Sequence, residues 1–200
     1  MTLKKSSALL KVQSRFGRLF AALPFSANQI TASSVVLAAI GFWFSLSQQA
    51  YLSLFFFLLS AAADALDGAV ARAKKQVSAR GAYIDGICDR LVEFLFILSL
   101  LAYPLPLFIL SAPLMLILIL FFGSAMTSFA TAYAEHRHVA DSKKIARQPG
   151  ILPRAERIIL LALAMLLIPI NPAFSSAVLF AGVVLSIATF FQRAAYFASE

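Results

Sequence analysis

The chain has one cysteine, Cys88, one tryptophan, Trp43, and only 9 acidic residues in 200. A lone cysteine excludes an internal disulfide framework. Charged residues amount to 13%, about half of what a soluble domain carries, so a water-soluble globule of this length is excluded. Intrinsic disorder is excluded as well, because 61% of the residues are hydrophobic. What remains is a chain with 19 phenylalanines and a mean hydropathy of +0.86, which reads as a protein whose solvent is lipid. The shortage of acids leaves a formal net charge of +8, from 17 Lys and Arg against 9 Asp and Glu. Such an excess can mark a nucleic-acid partner. Here the bases are confined to the gaps between apolar windows, so no nucleic-acid partner is expected.

Those windows run over residues 30–46, 51–63 with helix continuing to about 71, 82–102, 107–134, 158–168 with a basic approach from Arg154, and 174–191. A helix needs roughly 20 residues to cross about 30 Å of hydrocarbon. The expectation is an all-α integral membrane protein, one domain over residues 1–200 with six transmembrane helices within about 28–197. Ser47-Gln48-Gln49, Tyr103-Pro104-Leu105-Pro106 and Pro169-Ile170-Asn171-Pro172 read as turns without a basic residue. The bases fall in the alternate connections: Lys4 to Arg18, Arg72 to Arg80, Arg137 to Arg157, and Arg193. Arg90 sits one to two turns into the third helix from the same side. The positive-inside rule then places both termini in the cytoplasm. The stretch 3–23, with Leu9, Leu10, Phe16, Leu19, Phe20 and Leu23 on one stripe, reads as an interfacial amphipathic helix on anionic headgroups. A signal peptide is not expected, since the apolar stretch is too long for an h-region and lacks a small-x-small cleavage site. Trp43 suits the outer interface.

The scarce acids cluster. Asp64 and Asp67 end the second helix, Asp85 and Asp89 open the third, and Glu93 follows one turn on. At about 100° per residue, Asp64, Asp67, Gly68 and Ala71 share a face, and Gly81, Asp85, Asp89 and Glu93 form an i+4 stripe. The short linker between them predicts antiparallel neighbours, so the two acidic faces meet. Charges in a membrane segment are costly and point to function. Four converging carboxylates suit Mg²⁺, Mn²⁺ or Ca²⁺, and Mg²⁺ in particular is commonly shared between carboxylates and substrate phosphates. Pairing with Arg72, Arg90 and the linker lysines is the structural alternative, and it leaves the in-phase glycines unexplained. Cys88 and the loop histidines His136 and His138 read as packing and solvated residues.

Written out, the stretch is Asp64-x2-Asp67-Gly68-x2-Ala71-Arg72-x8-Gly81-x3-Asp85-x3-Asp89. It resembles, at every position, the motif of the CDP-alcohol phosphotransferases (CDP-alcohol phosphatidyltransferases), membrane enzymes of phospholipid biosynthesis. The resemblance implies transfer of a phosphatidyl-type group from a CDP-linked lipid, CDP-diacylglycerol or an archaeal ether analogue, to a small polar alcohol, with release of CMP. It implies that Asp64, Asp67 and Asp85 hold Mg²⁺ or Mn²⁺, and that Asp89 helps hold a second ion and acts as general base. It also implies that Gly68, Arg72, Ser78 and Gly81 lie against the CDP moiety, joined by Asn28 and Thr31 of Asn28-Gln29-Ile30-Thr31. A homodimer in the cell membrane, with its active site facing the cytoplasm, follows from the same likeness.

Gly150-x3-Arg154-Ala155-Glu156-Arg157 is similar to the corresponding stretch of phosphatidylinositol-phosphate synthases and their archaeal relatives, so Arg154 and Arg193 are candidates for the acceptor pocket. Thr127 to Glu135 departs from the pattern of those synthases: Thr131 and Tyr133 stand where they resemble Lys and Arg. Two other functions compete at this point. One is a CDP-linked polyol donor with a lipid or inositol-type acceptor. The other is a small membrane transporter, which an inverted repeat and midplane acids would favour; neither feature is found.

Overall fold

The computed structural model describes residues 27–74, 78–139 and 150–199; the stretch 3–23 lies outside the described residues. Among these the protein is entirely helical: α1 Ala27–Leu46, α2 Ala50–Ala73, α3 Ala79–Leu100, α4 Ala112–His136, α5 Arg154–Leu167 and α6 Pro172–Ala198. Four of them, α1 from Gln29, α2, α4 and α6, are long and apolar enough to cross a membrane. The third has 22 residues but carries Arg80, Asp85, Asp89, Arg90 and Glu93. The fifth has 14 residues, about 21 Å at 1.5 Å per residue.

The ends of the helices follow from local chemistry. Gln48, at φ 59°, takes the left-handed conformation that reverses the chain after α1. Ser78 caps α3, its hydroxyl oxygen accepting from Gly81 N at 3.0 Å. Asn171 caps α6 by accepting from Ala173 N at 3.0 Å, with Pro172 at the first helical position. The fourth helix begins at Ala112, later than the apolar window at 107 suggests. A helix begun at 107 would carry Pro113 in its interior, with a missing N–H and a ring clash; begun at 112, it places that proline in the first turn, where no N–H is needed.

The chain forms two compact units, residues 1–99 and 100–200. In the first, α1 and α2 run antiparallel along a seam of small residues. Gly41 lies so close to α2 that a Cβ there would sit 3.0 Å from the Phe57 ring. Ser60 Oγ donates to the Ser34 carbonyl at 2.7 Å, and Ala38 is fully buried. Small residues let helices approach in lipid, where apolar side chains alone give little drive to associate. Phe57 then stacks on Phe96 of α3, with ring centroids 4.2 Å apart and planes 5° from parallel.

In the second unit α4 widens to a π-helix over Ile119–Met126, and the Thr127 hydroxyl donates to the Phe122 carbonyl five residues back. The bulge puts Gly123 against Arg157 of α5 and Ser186 of α6. A Cβ on Gly123 would lie 2.8 Å from Ser186 Oγ and 3.0 Å from Arg157 Cδ. Gly182 makes a similar approach to Leu160, and Ser175 Oγ donates to the Ala164 carbonyl at 2.8 Å. Overpacking costs about 1–3 kcal/mol. Gly123→Val is therefore expected to lower the thermal midpoint of the purified protein by several degrees. Gly86→Ala, where a Cβ meets nothing within 4 Å, is expected to hold or raise it, since alanine is the better helix former. Equal melting of both variants would contradict this packing.

Outward faces stay apolar, with Val36, Trp43, Phe55, Ile117, Phe174 and Phe191 all exposed. That much uncovered apolar surface suits lipid rather than water.

Candidate functional site

The residues of the acidic motif fall at the facing ends of α2 and α3. Asp64 and Asp67 lie in the last three turns of α2, and Asp85 and Asp89 in the first three of α3. One carboxylate oxygen from each of Asp64, Asp67 and Asp85 lies within 4.8 Å of the other two. Opposite oxygen ligands of one hard cation are separated by twice its ion–oxygen distance of about 2.1–2.5 Å, so these three oxygens can share a single ion. Asp67 is buried and its two neighbours half-buried. An all-oxygen, all-carboxylate donor set fits Mg²⁺, Mn²⁺ or Ca²⁺ rather than a soft metal. Asp89 is half-buried one helical turn beyond Asp85, and all four carboxylates lie within electrostatic reach of the Cys88 thiol. Glu93, the last member of the stripe, is fully buried and paired with Arg90 at 3.3 Å.

The other motif positions are placed as follows. Thr31 is buried in α1, and its hydroxyl donates to Asp67 Oδ2 at 2.5 Å. Arg72 is exposed in the last turn of α2. Ser78 is exposed, its oxygen engaged by Gly81 N. Gly68 lies in α2 between the acids and Ala71, and Asn28 in the first turn of α1.

The second unit holds the basic candidates. Arg154 opens α5, half-buried. Arg193 of α6 donates through Nη1 to Thr131 Oγ1 at 3.0 Å. Position 131 thus lacks a base of its own but has a guanidinium delivered to it by another helix. Tyr133 is served likewise: Arg137 Nε donates to its hydroxyl at 3.1 Å, and the guanidinium carbon lies 5.4 Å from the ring centroid. Gly150, at φ +88°, passes so close to Thr189 that any side chain would collide with it. The adjoining Leu152 N donates to Thr189 Oγ1 at 2.8 Å.

Arg157, which closes the Gly150–Arg157 stretch but is not among the residues singled out for the acceptor, is only 2% exposed and donates to the Leu152 carbonyl at 3.3 Å. Its sequence signal is its place in that stretch, three residues after Arg154. The burial depends on Gly123, 34 positions away, and on the π-bulge, neither of which has a local signature.

A family model for CDP-alcohol phosphatidyltransferases matches residues 25–189, a span that contains every one of the clustered acids. The chain belongs to the CDP-alcohol phosphatidyltransferase family. It is an enzyme, a membrane phosphotransferase of phospholipid biosynthesis, and the transporter reading is not favoured. It is 30% identical over 152 residues to the archaetidylinositol phosphate synthase of Pyrococcus horikoshii, covering 76% of this chain and 75% of that one. Its fold is similar to that of Mycobacterium tuberculosis phosphatidylinositol phosphate synthase. Against the crystal structure with CDP-DAG bound, the TM-score is 0.76 at 20% identity, covering 94% of both chains. Against the complex with manganese and citrate it is 0.77 at 20% identity, covering 94% of this chain and 89% of the other.

Proposed function

We propose that the enzyme transfers a phosphatidyl-type group from a CDP-linked lipid, CDP-diacylglycerol or an ether analogue, to a small polar alcohol. The observation that carries this reading is the convergence of Asp64, Asp67 and Asp85 oxygens inside the matched family segment. The manganese and the CDP-DAG named for the M. tuberculosis synthase support the choice of cofactor and donor. On this reading Asp64, Asp67 and Asp85 hold Mg²⁺ or Mn²⁺, with Asp89 contributing to a second ion. Gly68, Arg72, Ser78, Gly81, Asn28 and Thr31 flank the cytidine diphosphate.

Bound divalent ions supply charge that the diphosphate needs as it passes through its transition state. The chain's own groups do the rest. Asp89 accepts the proton of the acceptor hydroxyl as its oxygen bonds to the β-phosphorus, and the bond from that phosphorus to CMP breaks. An alcohol needs such a base within hydrogen-bond reach. Arg72 offers a planar fork of donors to phosphate oxygens. Arg154 and Arg193 are assigned to the acceptor, a role supported by the guanidinium that Arg193 brings to Thr131.

The same reading takes residues 1–200 as one membrane domain in the cell membrane, with six spans, both termini and the acidic site in the cytoplasm, and a homodimeric assembly. Incubating the purified enzyme with labelled CDP-diacylglycerol, Mg²⁺ and a panel of inositol phosphate, inositol, glycerol phosphate and serine tests it. One acceptor is expected to convert the label to a new phospholipid with stoichiometric CMP. A labelled CDP-polyol consumed instead, with CDP-diacylglycerol inert, would reverse the donor assignment.

A further inference from the structure

Thr31 differs from the other hydroxyl donors described in these helices in its acceptor. They bond to backbone carbonyls, on their own helix or, like Ser60, on a neighbour, whereas Thr31 bonds to a carboxylate. Ser33, Ser34, Ser45 and Ser99 each turn back to a carbonyl three residues earlier on their own helix, at 2.6–2.7 Å. That is the ordinary way for a hydroxyl to satisfy itself in a helix. The Thr31 hydroxyl instead crosses to the next helix and donates to Asp67 Oδ2 at 2.5 Å, a contact 36 residues apart in sequence. Both side chains are buried, Thr31 at 4% and Asp67 at 5% exposed.

The frame behind this bond is rigid. Ser34 Oγ holds the Thr31 carbonyl at 2.7 Å, Ser60 Oγ holds the Ser34 carbonyl at 2.7 Å, and Gly41 closes the seam on Phe57. A carboxylate rotates freely about its last torsion unless something pins it. Here one oxygen is pinned by a hydroxyl carried on a second, tightly packed helix. Each carboxylate oxygen has two lone pairs, so the bond leaves acceptor capacity for an ion. Groups that orient metal ligands in this way commonly control affinity by about 10–100-fold.

We propose that Thr31 is a positioning residue of the metal centre, holding the Asp67 carboxylate in its ligating orientation before any nucleotide arrives. This rests on the assignment of Asp64, Asp67 and Asp85 to a divalent ion, and it gives Thr31 a role distinct from contact with the CDP moiety.

The test is Mn²⁺ binding to the purified enzyme without donor or acceptor, read from the loss of the free aqueous Mn²⁺ signal in electron paramagnetic resonance. Thr31→Val, isosteric but without the hydroxyl, is expected to weaken binding about 10–100-fold. Thr31→Ser, which keeps the donor, is expected to stay close to the parent enzyme. Thr31→Ala replaces the valine variant should that one fail to fold, as judged by its melting curve. Valine and alanine variants with the parent's Mn²⁺ affinity, alongside a weakened Asp67→Asn, would overturn the role of Thr31 and leave the metal centre standing. A serine variant as weak as valine overturns it as well. Unchanged binding in Asp67→Asn would remove the metal assignment and this proposal together.

Discussion

Asp85→Asn is expected to lower CMP release by roughly 10²–10³-fold at saturating donor. The estimate follows from several kcal/mol of transition-state charge stabilisation by bound cations, at a factor of ten per 1.36 kcal/mol. Asparagine keeps the size and one oxygen of the side chain but removes the charge, and a site with three close carboxylate oxygens loses one of the charges that attract the ion. The loss is therefore expected to shrink as Mg²⁺ is raised. Turnover measured across a Mg²⁺ titration checks this: the variant's half-saturating Mg²⁺ moves up, and the parent's stays put. A variant with reduced turnover but the parent's Mg²⁺ dependence would place Asp85 outside the metal centre.

Asp89→Asn is expected to behave differently. Removing a positioned general base costs about 10²–10⁴ in rate, while Asp64, Asp67 and Asp85 remain grouped. Asp89 stands one turn beyond that group, half-buried. Turnover is expected to fall to near background, with Mg²⁺-dependent CDP binding largely retained. Isothermal titration with CDP, run beside the turnover assay, separates the two quantities. Loss of CDP binding in parallel with turnover would make Asp89 primarily a metal ligand. Full activity would remove it from the chemistry.

The membrane class was readable from composition, because the cost of placing charge in lipid acts on every window of the chain. Helices α1 and α2 follow their apolar windows within about three residues, while α6 continues to Ala198, seven residues past the end of its window. The fourth was harder, since its window is apolar from 107 but its helix waits for Pro113 to reach the first turn. The π-bulge at Ile119–Met126 had no signature at all. It depends on Gly123 meeting Arg157 and Ser186, partners set by tertiary packing.

The acidic site was more legible than the fold around it. Helical periodicity puts Asp64 with Asp67 and Asp85 with Asp89, and a short linker brings the pairs together. What periodicity cannot give is cross-helix hydrogen bonding. The Asn28-x2-Thr31 pattern singles out Thr31, but its bond to Asp67 spans 36 positions. Thr131 likewise read as a lost charge, because the guanidinium beside it comes from Arg193, 62 positions away.

In the proposed function the acidic cluster binds the diphosphate of a CDP-linked donor through divalent ions. CDP binding to the purified enzyme, titrated with and without Mg²⁺ in the parent and in Asp64→Asn, tests it most directly. Binding is expected to require Mg²⁺ and to be lost in the variant. CDP binding that is indifferent to Mg²⁺, or unchanged in Asp64→Asn, would contradict it.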